Sequence, residues 1–469
     1  MTTPADRAAD PAVGRSALDR PGVGGRTGRL RTLAAHPAVL WTAFVLVHVL
    51  VSAQDLLSPR QPMGDVTSVY PGWVQQGLDG DGWVGIDRPW VYPLLALLPM
   101  LLSLVAGVGA VAEAWLVLVL LLDLGAFAVL RRVAPQPAPA WAWIAFLALL
   151  GPISVGRVDA VTVPVALVGA LLLLRRPALA GVVLAVGAWI KVWPAALVLA
   201  GVLAVRGRWR VLVGAVATTA GVVAVSLALG SGATVLGPLT QQGARGLQLE
   251  SPLATLALWR VVLGAPGSRV SFDHEIITYQ VAGQGVELTA RLGTPLMALV
   301  VLGVVLLALR ALRAGADGAG LLGPLATALV TALIDTNKVG SPQFVAWLAV
   351  PLVLGLVLAA RGGPSVAVPS ALVLATAALT QVVYPELYDA LVTAQPWMVT
   401  VITVRVVVEL ALLGVACRAL WRAGGAGRAP GTGAGRSRSG RSGDGQSRGD
   451  STQNSLPSGS ASTTQVTSS

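Results

Sequence analysis

Residues 111–132 read VAEAWLVLVLLLDLGAFAVLRR, an apolar run that ends in two arginines. A helix that crosses the hydrocarbon core of a bilayer needs about 20 mostly apolar residues. Runs of similar character recur along the chain, and short polar breaks separate them. This pattern predicts an all-α polytopic membrane protein.

The composition of the 469-residue chain agrees with this prediction. Hydrophobic residues make up 55% of the chain, charged residues 12%, and the mean hydropathy is +0.73. One soluble core cannot bury that much apolar side chain. The formal net charge of +11 would suggest a nucleic-acid partner in a soluble protein, but these arginines lie in short loops and in the two tails. We therefore expect the lipid bilayer, and no nucleic acid, as a partner.

Cysteine and histidine are too sparse to predict a metal or redox centre. Cys417 is the single cysteine, and the three histidines are scattered along the sequence. The single cysteine cannot form a disulfide within the chain, and the histidines do not have the spacing of a metal-ligand set. We predict no cofactor and no dependence on a metal.

Arginine-bearing breaks predict the orientation of the helices. By the positive-inside rule they mark the cytoplasmic face. These breaks contain Arg26, Arg29, Arg31, Arg131, Arg132, Arg175, Arg176, Arg206, Arg208, Arg210, Arg310, Arg313, Arg361, Arg418 and Arg422. The helices predicted from them and from the apolar runs are 39–57, 141–155, 160–174, 178–190, 193–205, 211–229, 293–309, 321–335, 342–358, 365–381 and 397–416, with one more before Arg131. About 12 crossings would place both termini in the cytoplasm and the protein in the plasma membrane.

Two segments do not fit a simple series of full crossings. Residues 94–109 are predicted to be re-entrant or interfacial, because a full crossing there would move Arg131 to the outer face and because Pro99 interrupts the run. The half-length helices on either side of Lys191 allow two interpretations, a pair of helices or one tilted span. In the long outer loop 230–292, the amphipathic run 253–263 is predicted to lie at the interface.

The composition divides the chain into three parts. Residues 1–37 form a basic N-terminal segment, residues 38–422 form the membrane domain, and residues 423–469 are rich in Gly, Ser and Arg. A tail with almost no large apolar residues is predicted to be disordered.

Charged residues of both signs collect in the predicted outer loops. Charges near a bilayer are costly unless they are paired or used, so such a cluster suggests a functional site, although solvated loops are the alternative. These residues are Asp65, Asp81, Asp87, Arg88, Arg157, Asp159, Lys191, Arg245, Glu250, Asp273, Glu275, Asp335, Lys338, Glu386 and Asp389.

The first outer loop, residues 58–91, combines carboxylates with aromatic side chains. It contains Asp65 and Asp87 together with Tyr70 and Trp73. A sugar site uses carboxylates to accept hydroxyl protons and aromatic rings to cover the apolar faces of the sugar. An interfacial aromatic belt is the alternative, but it accounts for the aromatic residues and not for the carboxylates.

Lys191 and Lys338 are the only two lysines of this arginine-rich chain. A lysine ammonium is a compact charge that suits an anionic oxygen such as a lipid phosphate. A lysine that extends along a helix end to the interface is the alternative. Arg157 and Asp159 are close enough in sequence to form an ion pair with each other, or to orient a ligand.

These residues together resemble the polyprenol-phosphate-dependent mannosyltransferases of glycosyltransferase family 87, within the GT-C superfamily. The resemblance covers most of residues 39–420. Its motifs are Gly64-Asp65 followed by Tyr70, Tyr92-Pro93-Leu94, Arg157-Val158-Asp159 with Pro164, Ile190-Lys191-Val192-Trp193-Pro194, the stretch from Arg245 to Ser251, and the stretch from Asn337 to Phe344.

The resemblance implies a GT-C-like helical bundle that transfers a sugar with inversion. It implies Asp65 as the catalytic base, a polyprenyl-phosphate sugar as donor, and a glycolipid or glycan of the cell envelope as acceptor at the outer face. Lys191 and Lys338 would neutralise the phosphate. Arg157 and Arg245 are further candidates for the same role. The full set of expected substrate-binding residues is Asp87, Arg88, Tyr92, Arg157, Asp159, Lys191, Arg245, Glu250, Asn337, Lys338 and Gln343.

The sequence departs from the family pattern at two places. Leu94 stands where a second proline is common, and the stretch from Asn337 to Phe344 lacks a histidine that some members have. The second difference leaves the sugar open between mannose and arabinose. A transporter or flippase of a lipid-linked sugar, or a structural subunit of an envelope complex, would also need many helices.

Overall fold

The computed structural model of the chain describes residues 32–241, 245–274 and 276–426, without the side chain of the last residue. Most of segment 1–37 and most of the tail 423–469 lie outside the described residues, so both remain predictions. The same holds for Arg26, Arg29, Arg31 and Glu275.

The N-terminal half of the described chain is mostly helical, with short 3-10 and π turns between the helices and an irregular loop over residues 79–93. Its α-helices are α1 (Pro37–Leu57), α2 (Tyr70–Leu78), α3 (Leu97–Leu104), α4 (Val111–Val133), α5 (Pro137–Leu150), α6 (Asp159–Leu172), α7 (Pro177–Ile190), α8 (Ala195–Ala204) and α9 (Arg208–Ala228). A π turn, Asp65–Val69, precedes α2, and 3-10 turns occupy Leu94–Ala96, Val108–Ala110 and Gly151–Ser154.

The C-terminal half adds helices and one hairpin. Its elements are α10 (Gly237–Thr240), α11 (Thr255–Val262), β1 (Arg269–Asp273), β2 (Thr278–Ala282), α12 (Val286–Arg313), α13 (Gly318–Asp335), α14 (Ala349–Ala359), α15 (Ala367–Val383), α16 (Tyr388–Val392) and α17 (Pro396–Ala426). Further 3-10 turns occupy Gly232–Leu236, Pro252–Ala254 and Pro342–Leu348. The antiparallel pair β1 and β2 was not expected from the sequence.

Among the described residues, eight helical segments are long and apolar enough to cross a membrane. They confirm the prediction of a polytopic α-helical protein. The helices α6, α7, α8 and α15 are apolar but shorter. The count of about 12 crossings therefore remains a prediction.

The helix ends that bear arginines adjoin one another. Arg361 on the turn after α14 donates from Nη2 to the carbonyl of Val133 at the end of α4, at 2.9 Å. Arg310 near the end of α12 donates from Nη1 to the carbonyl of Trp421 near the end of α17, at 3.0 Å. We call this end of the bundle, which also includes the start of α13 and of α15, the arginine end.

The segment after the first outer loop is too short for a full crossing. Leu94–Ala96 and α3 together form a helical stretch of 11 residues. At 1.5 Å per residue its length is about 16 Å, against a hydrocarbon core of about 30 Å. This length agrees with the re-entrant or interfacial placement predicted for 94–109.

The helices on either side of Lys191 form an antiparallel pair. A Cβ on Gly207, just after α8, would lie 2.6 Å from Pro177 Cγ at the start of α7, and one on Gly187 would lie 3.3 Å from Pro194 Cγ. Both ends of the two helices therefore meet, which excludes the alternative of one tilted span.

Glycines allow α7 and α9 to approach closely. A Cβ at Gly214 of α9 would overlap the carbonyl oxygen of Ala178 on α7, and a Cβ at Gly181 of α7 would overlap that of Val211 on α9. Without a hydrophobic driving force between helices in lipid, such close packing of small residues contributes strongly to helix association.

The substitution Gly214→Val is expected to lower the free energy of unfolding by about 1–3 kcal/mol, because the new methyl groups force α7 and α9 apart. Thermal unfolding of the purified protein in detergent measures this loss. The matched control is Gly221→Val on the same helix, where a Cβ has no neighbour within 4 Å. Equal losses from both variants would show that helix propensity, and not packing, is responsible.

Candidate active site

A cavity of about 560 Å³ lies at the end of the bundle opposite the arginine end. We call it the main cavity. Its walls come from the first loop, the breaks around Arg157 and Lys191, the hairpin, and the segment before α14. The polar lining residues are Asp65, Tyr92, Arg157, Lys191, Arg245, Gln248, Glu250, Thr278, Tyr279, Ser341, Gln343, Tyr384 and Tyr388.

Asp65 begins the π turn that leads into α2. Its Oδ2 lies 3.2 Å from Nε of Arg157, and its side chain is 37% exposed, against 12% for Arg157. The carboxylate is therefore held by one cation while it stays accessible from the main cavity. A carboxylate that is accessible from a cavity can accept a proton from a bound group.

Arg157 is fixed on several sides. Its guanidinium donates to the carbonyls of Pro62 and Gly156 and, at 3.0 Å, to the hydroxyl of Tyr384. Burial works against its charge, but nearby Asp65 and the other anionic neighbours raise the pKa of Arg157 above its ordinary value. Arg157 therefore stays charged and orients Asp65.

Lys191 and Asp159 form a buried ion pair. Nζ of Lys191 lies 2.5 Å from Oδ2 of Asp159, whose side chain is fully buried, and Nε1 of Trp347 donates to the other carboxylate oxygen at 2.5 Å. Lys191 also lies over the ring of Phe344, 5.0 Å from its centroid, and near that of Tyr92 at 5.6 Å. Burial lowers the pKa of Lys191, although Asp159 opposes the shift. Lys191 thus points into the protein and not along the interface.

The sequence left open whether Arg157 and Asp159 pair with each other. In the structure each pairs with a different residue, Arg157 with Asp65 and Asp159 with Lys191. Asp159 is not among the residues that line the main cavity, whereas its partner Lys191 is.

Glu250 is held by an arginine that the sequence analysis did not single out. Nη1 of Arg405 on α17 donates to Oε2 of Glu250 at 3.1 Å, and Nη2 donates to the Glu250 carbonyl at 3.2 Å. Burial raises the pKa of Glu250, while Arg405 and a hydrogen bond from Tyr388 act against the rise. A charged residue inside the apolar run 397–416 was the signal that could have identified Arg405.

Asn337 and Lys338 lie beside the main cavity. They line a second cavity of about 310 Å³, which we call the apolar cavity because most of its other lining residues are apolar. Both cavities share Tyr92, Lys191 and Phe344. The remaining apolar lining includes Val91, Pro93, Val192, Trp193, Pro238, Leu239, Met297, Leu333, Val339 and Trp347.

Asp87 and Arg88 do not line either cavity. Oδ2 of Asp87 accepts a hydrogen bond from the backbone N–H of Trp83 at 2.6 Å, and Nη2 of Arg88 donates to the carbonyl of Asp81 at 2.5 Å. The structure thus places both side chains within the turns of the first loop, where they stabilise its conformation.

Aromatic rings form one wall of the main cavity. Trp73, Trp90 and Tyr92 pack edge to face, with ring centroids between 5.4 and 5.9 Å apart. On the opposite wall the hairpin contributes Phe272 and Ile277, which are 38% and 62% exposed. The sequence analysis predicted aromatic residues for the first loop but had no signal for the hairpin.

Arg245 and Gln343 complete the main cavity. Burial lowers the pKa of Arg245, while Tyr92 and Asp273 act in the opposite direction. Oε1 of Gln343 is buried without a hydrogen-bond partner in the part of the chain that the structure describes, as is Nε1 of Trp90. Buried polar atoms are normally paired, so these two are exceptions to the usual pattern.

The model of glycosyltransferase family 87 matches residues 90–342, which is more than half of the chain. The matched range includes Tyr92, Arg157, Lys191 and Arg245, whereas Asp65 precedes it. No curated protein and no solved structure matches the chain.

The substitution Asp159→Asn is expected to cost about 3–5 kcal/mol of stability, because it leaves the buried ammonium of Lys191 without its counter-charge. Thermal unfolding in detergent measures the effect. The double variant Asp159→Asn with Lys191→Met removes both charges and should recover most of that loss. If the double variant is as unstable as the single one, the packing around Asp159, and not the ion pair, determines the cost.

Proposed function

The chain belongs to glycosyltransferase family 87 and is a membrane glycosyltransferase, and we propose that it moves a sugar from a polyprenyl-phosphate donor to an envelope glycolipid or glycan. The resemblance in sequence favours mannose as the sugar. We further propose that the main cavity faces outward and the arginine end faces the cytoplasm, as the positive-inside rule predicts.

One observation supports this proposal most strongly: a partly exposed carboxylate and cationic side chains line the same cavity. Asp65 provides the carboxylate, and Lys191 and Arg245 provide the cations. Among the described residues, neither cation forms a hydrogen bond or an ion pair with Asp65. Acid–base catalysis needs the first group, and a departing phosphate needs the second.

The donor would lie across the two cavities. Its phosphate would contact Lys191, which lines both, and the first part of its polyprenyl chain would occupy the apolar cavity. Lys191 has further N–H donors beyond the one directed at Asp159. Since the donor is a lipid, no nucleotide-binding fold is needed.

The sugar and the acceptor would occupy the main cavity. The aromatic wall of Trp73, Trp90 and Tyr92 suits the apolar face of a sugar ring. Gln343 also lines the main cavity and adds a polar side chain to it.

In the transfer step, Asp65 removes the proton from an acceptor hydroxyl as its oxygen attacks the anomeric carbon. The bond from that carbon to the phosphate oxygen breaks on the opposite face, and the phosphate leaves with the electron pair. The configuration at the anomeric carbon is therefore inverted. Arg157 has its donors directed at Asp65 and at neighbouring oxygens, so we assign it to orienting Asp65 and not to binding phosphate.

A transporter or flippase of a lipid-linked sugar is less well supported. Two ionisable pairs lie inside the spans: Nε2 of His48 lies 2.8 Å from Oδ2 of Asp123, and Nε of Arg405 lies 3.6 Å from Oε1 of Glu409. The buried carboxylates of Asp55 and Asp335 have no hydrogen-bond partner among the described residues. The main cavity lies at the helix ends and not at mid-span. Family membership also favours transfer over transport.

The substitution Asp65→Asn is expected to lower kcat by about 10²–10⁴-fold, because the amide cannot accept the acceptor proton. The assay uses purified protein in lipid vesicles, radiolabelled polyprenyl-phosphate-mannose and extracted envelope glycolipids and glycans. Asp81→Asn, an exposed carboxylate in the same loop outside the main cavity, is the matched control and should keep full activity. An Asp65→Asn variant with full activity, or a wild type that transfers sugar to no acceptor, would overturn the proposal.

The affinity for the donor is expected to fall at alkaline pH. Burial lowers the pKa of Lys191, so its ammonium loses a proton at a lower pH than an exposed lysine does. The neutral amine then binds the donor phosphate less well, and KM for the donor rises on the alkaline side. The variant Lys191→Arg keeps its charge at all these pH values, so the alkaline rise should disappear. An unchanged pH profile in that variant would assign the ionisation to another group.

A further inference from the structure

A groove at the arginine end is separate from both cavities already described. Its larger part has a volume of about 580 Å³ and lies between the first half of α13, the first two turns of α14, the start of α15 and the end of α17. A smaller part of about 380 Å³ shares Pro324, Pro364, Ala419 and Ala423 with it. We call the two together the end groove.

Small residues and prolines leave the end groove open. Gly323, Pro324, Gly355 and Pro369 line its larger part, where bulkier side chains would fill the space between the helices. Leu352 and Val373 add apolar surface. A space with this lining, between helices that cross a bilayer, accepts a hydrocarbon chain.

Two arginines lie at the larger part of the end groove. Arg418 and Arg422 are one helical turn apart on α17, and both are exposed. Within the described ranges, neither guanidinium has a hydrogen bond or an ion pair, whereas neighbouring Arg310 and Arg361 are bound to backbone carbonyls. The acidic residue Asp317 lines only the smaller part. The positive charge is therefore concentrated at the larger part.

We propose that the end groove binds an anionic phospholipid, with an acyl chain between α13, α14, α15 and α17 and the phosphate on Arg418 and Arg422. Guanidinium groups bind phosphate oxygens through two parallel hydrogen bonds, and basic pockets between membrane helices favour anionic headgroups. The end groove lies at the opposite end of the bundle from the main cavity and shares no lining residue with it.

The C-terminal tail is a poor alternative occupant on chemical grounds. Residues 427–469 begin at the end of α17, but they contain almost no large apolar side chains to fill the end groove. They also contain five arginines and two aspartates, so their net charge has the same sign as that of Arg418 and Arg422. A lipid complements both the apolar lining and the charge.

The test is native mass spectrometry of the full-length protein, delipidated in detergent and titrated with phosphatidylglycerol or phosphatidylcholine. We expect saturable binding of phosphatidylglycerol that the variant Arg418→Gln with Arg422→Gln weakens about 30-fold, since each arginine contributes about 1 kcal/mol to binding an anionic lipid. The variant Ala419→Leu, which fills the groove without changing charge, should also weaken it.

The matched control is Arg208→Gln with Arg210→Gln, which removes the same charge from exposed positions on α9 outside the end groove. This control should bind phosphatidylglycerol as the wild type does. Equal weakening in both double variants, equal binding of phosphatidylcholine, or unaffected binding in Ala419→Leu would overturn the proposal. Competition by inorganic phosphate alone would show that the acyl chain is not recognised. Since the readout is binding, failure leaves the transferase proposal untouched.

Discussion

The buried contact between Asp159, Lys191 and Trp347 joins three separate interruptions of the helical bundle. Asp159 begins α6, Lys191 follows α7, and Trp347 lies in the 3-10 turn before α14. A buried charge is tolerated only when it is paired and hydrogen-bonded, so these three breaks must be held in one geometry. Stacking of Trp193 on Trp347, with ring planes 9° apart, adds to the same contact. The position of Lys191 at both cavities follows from it.

Interrupted helices are what allow a polar site to exist in this chain. In hydrocarbon, backbone polar groups must be satisfied within the protein, so irregular backbone is confined to places that line a cavity or are buried in protein. Here α6, α7 and α8 are short, and the breaks before α6 and between α7 and α8 contain Arg157 and Lys191, which line the main cavity. Because these helices are short, irregular segments take their place and shape the main cavity.

A second buried network connects the loop around Glu250 to α17, the last long helix. Arg405 binds both the side chain and the carbonyl of Glu250, and it lies near Glu409 one turn further along α17. The backbone of Leu247 and Leu249 pairs with β2, so the same loop also holds the hairpin over the main cavity. A displacement of α17 would therefore be transmitted directly to the wall of the main cavity.

The sequence by itself determined the helical class, the distribution of arginines and the family motifs, because apolar run length and positive charge act locally and are visible in a window of about 20 residues. Only the tertiary structure decided which charges meet. Arg157 pairs with Asp65 and not with Asp159. Arg405 binds Glu250, which is 155 positions away in the sequence. The side chains of Asp87 and Arg88 form hydrogen bonds with the backbone of their own loop. Such pairs depend on how distant helices pack. Residue spacing along the chain contains no information about that packing.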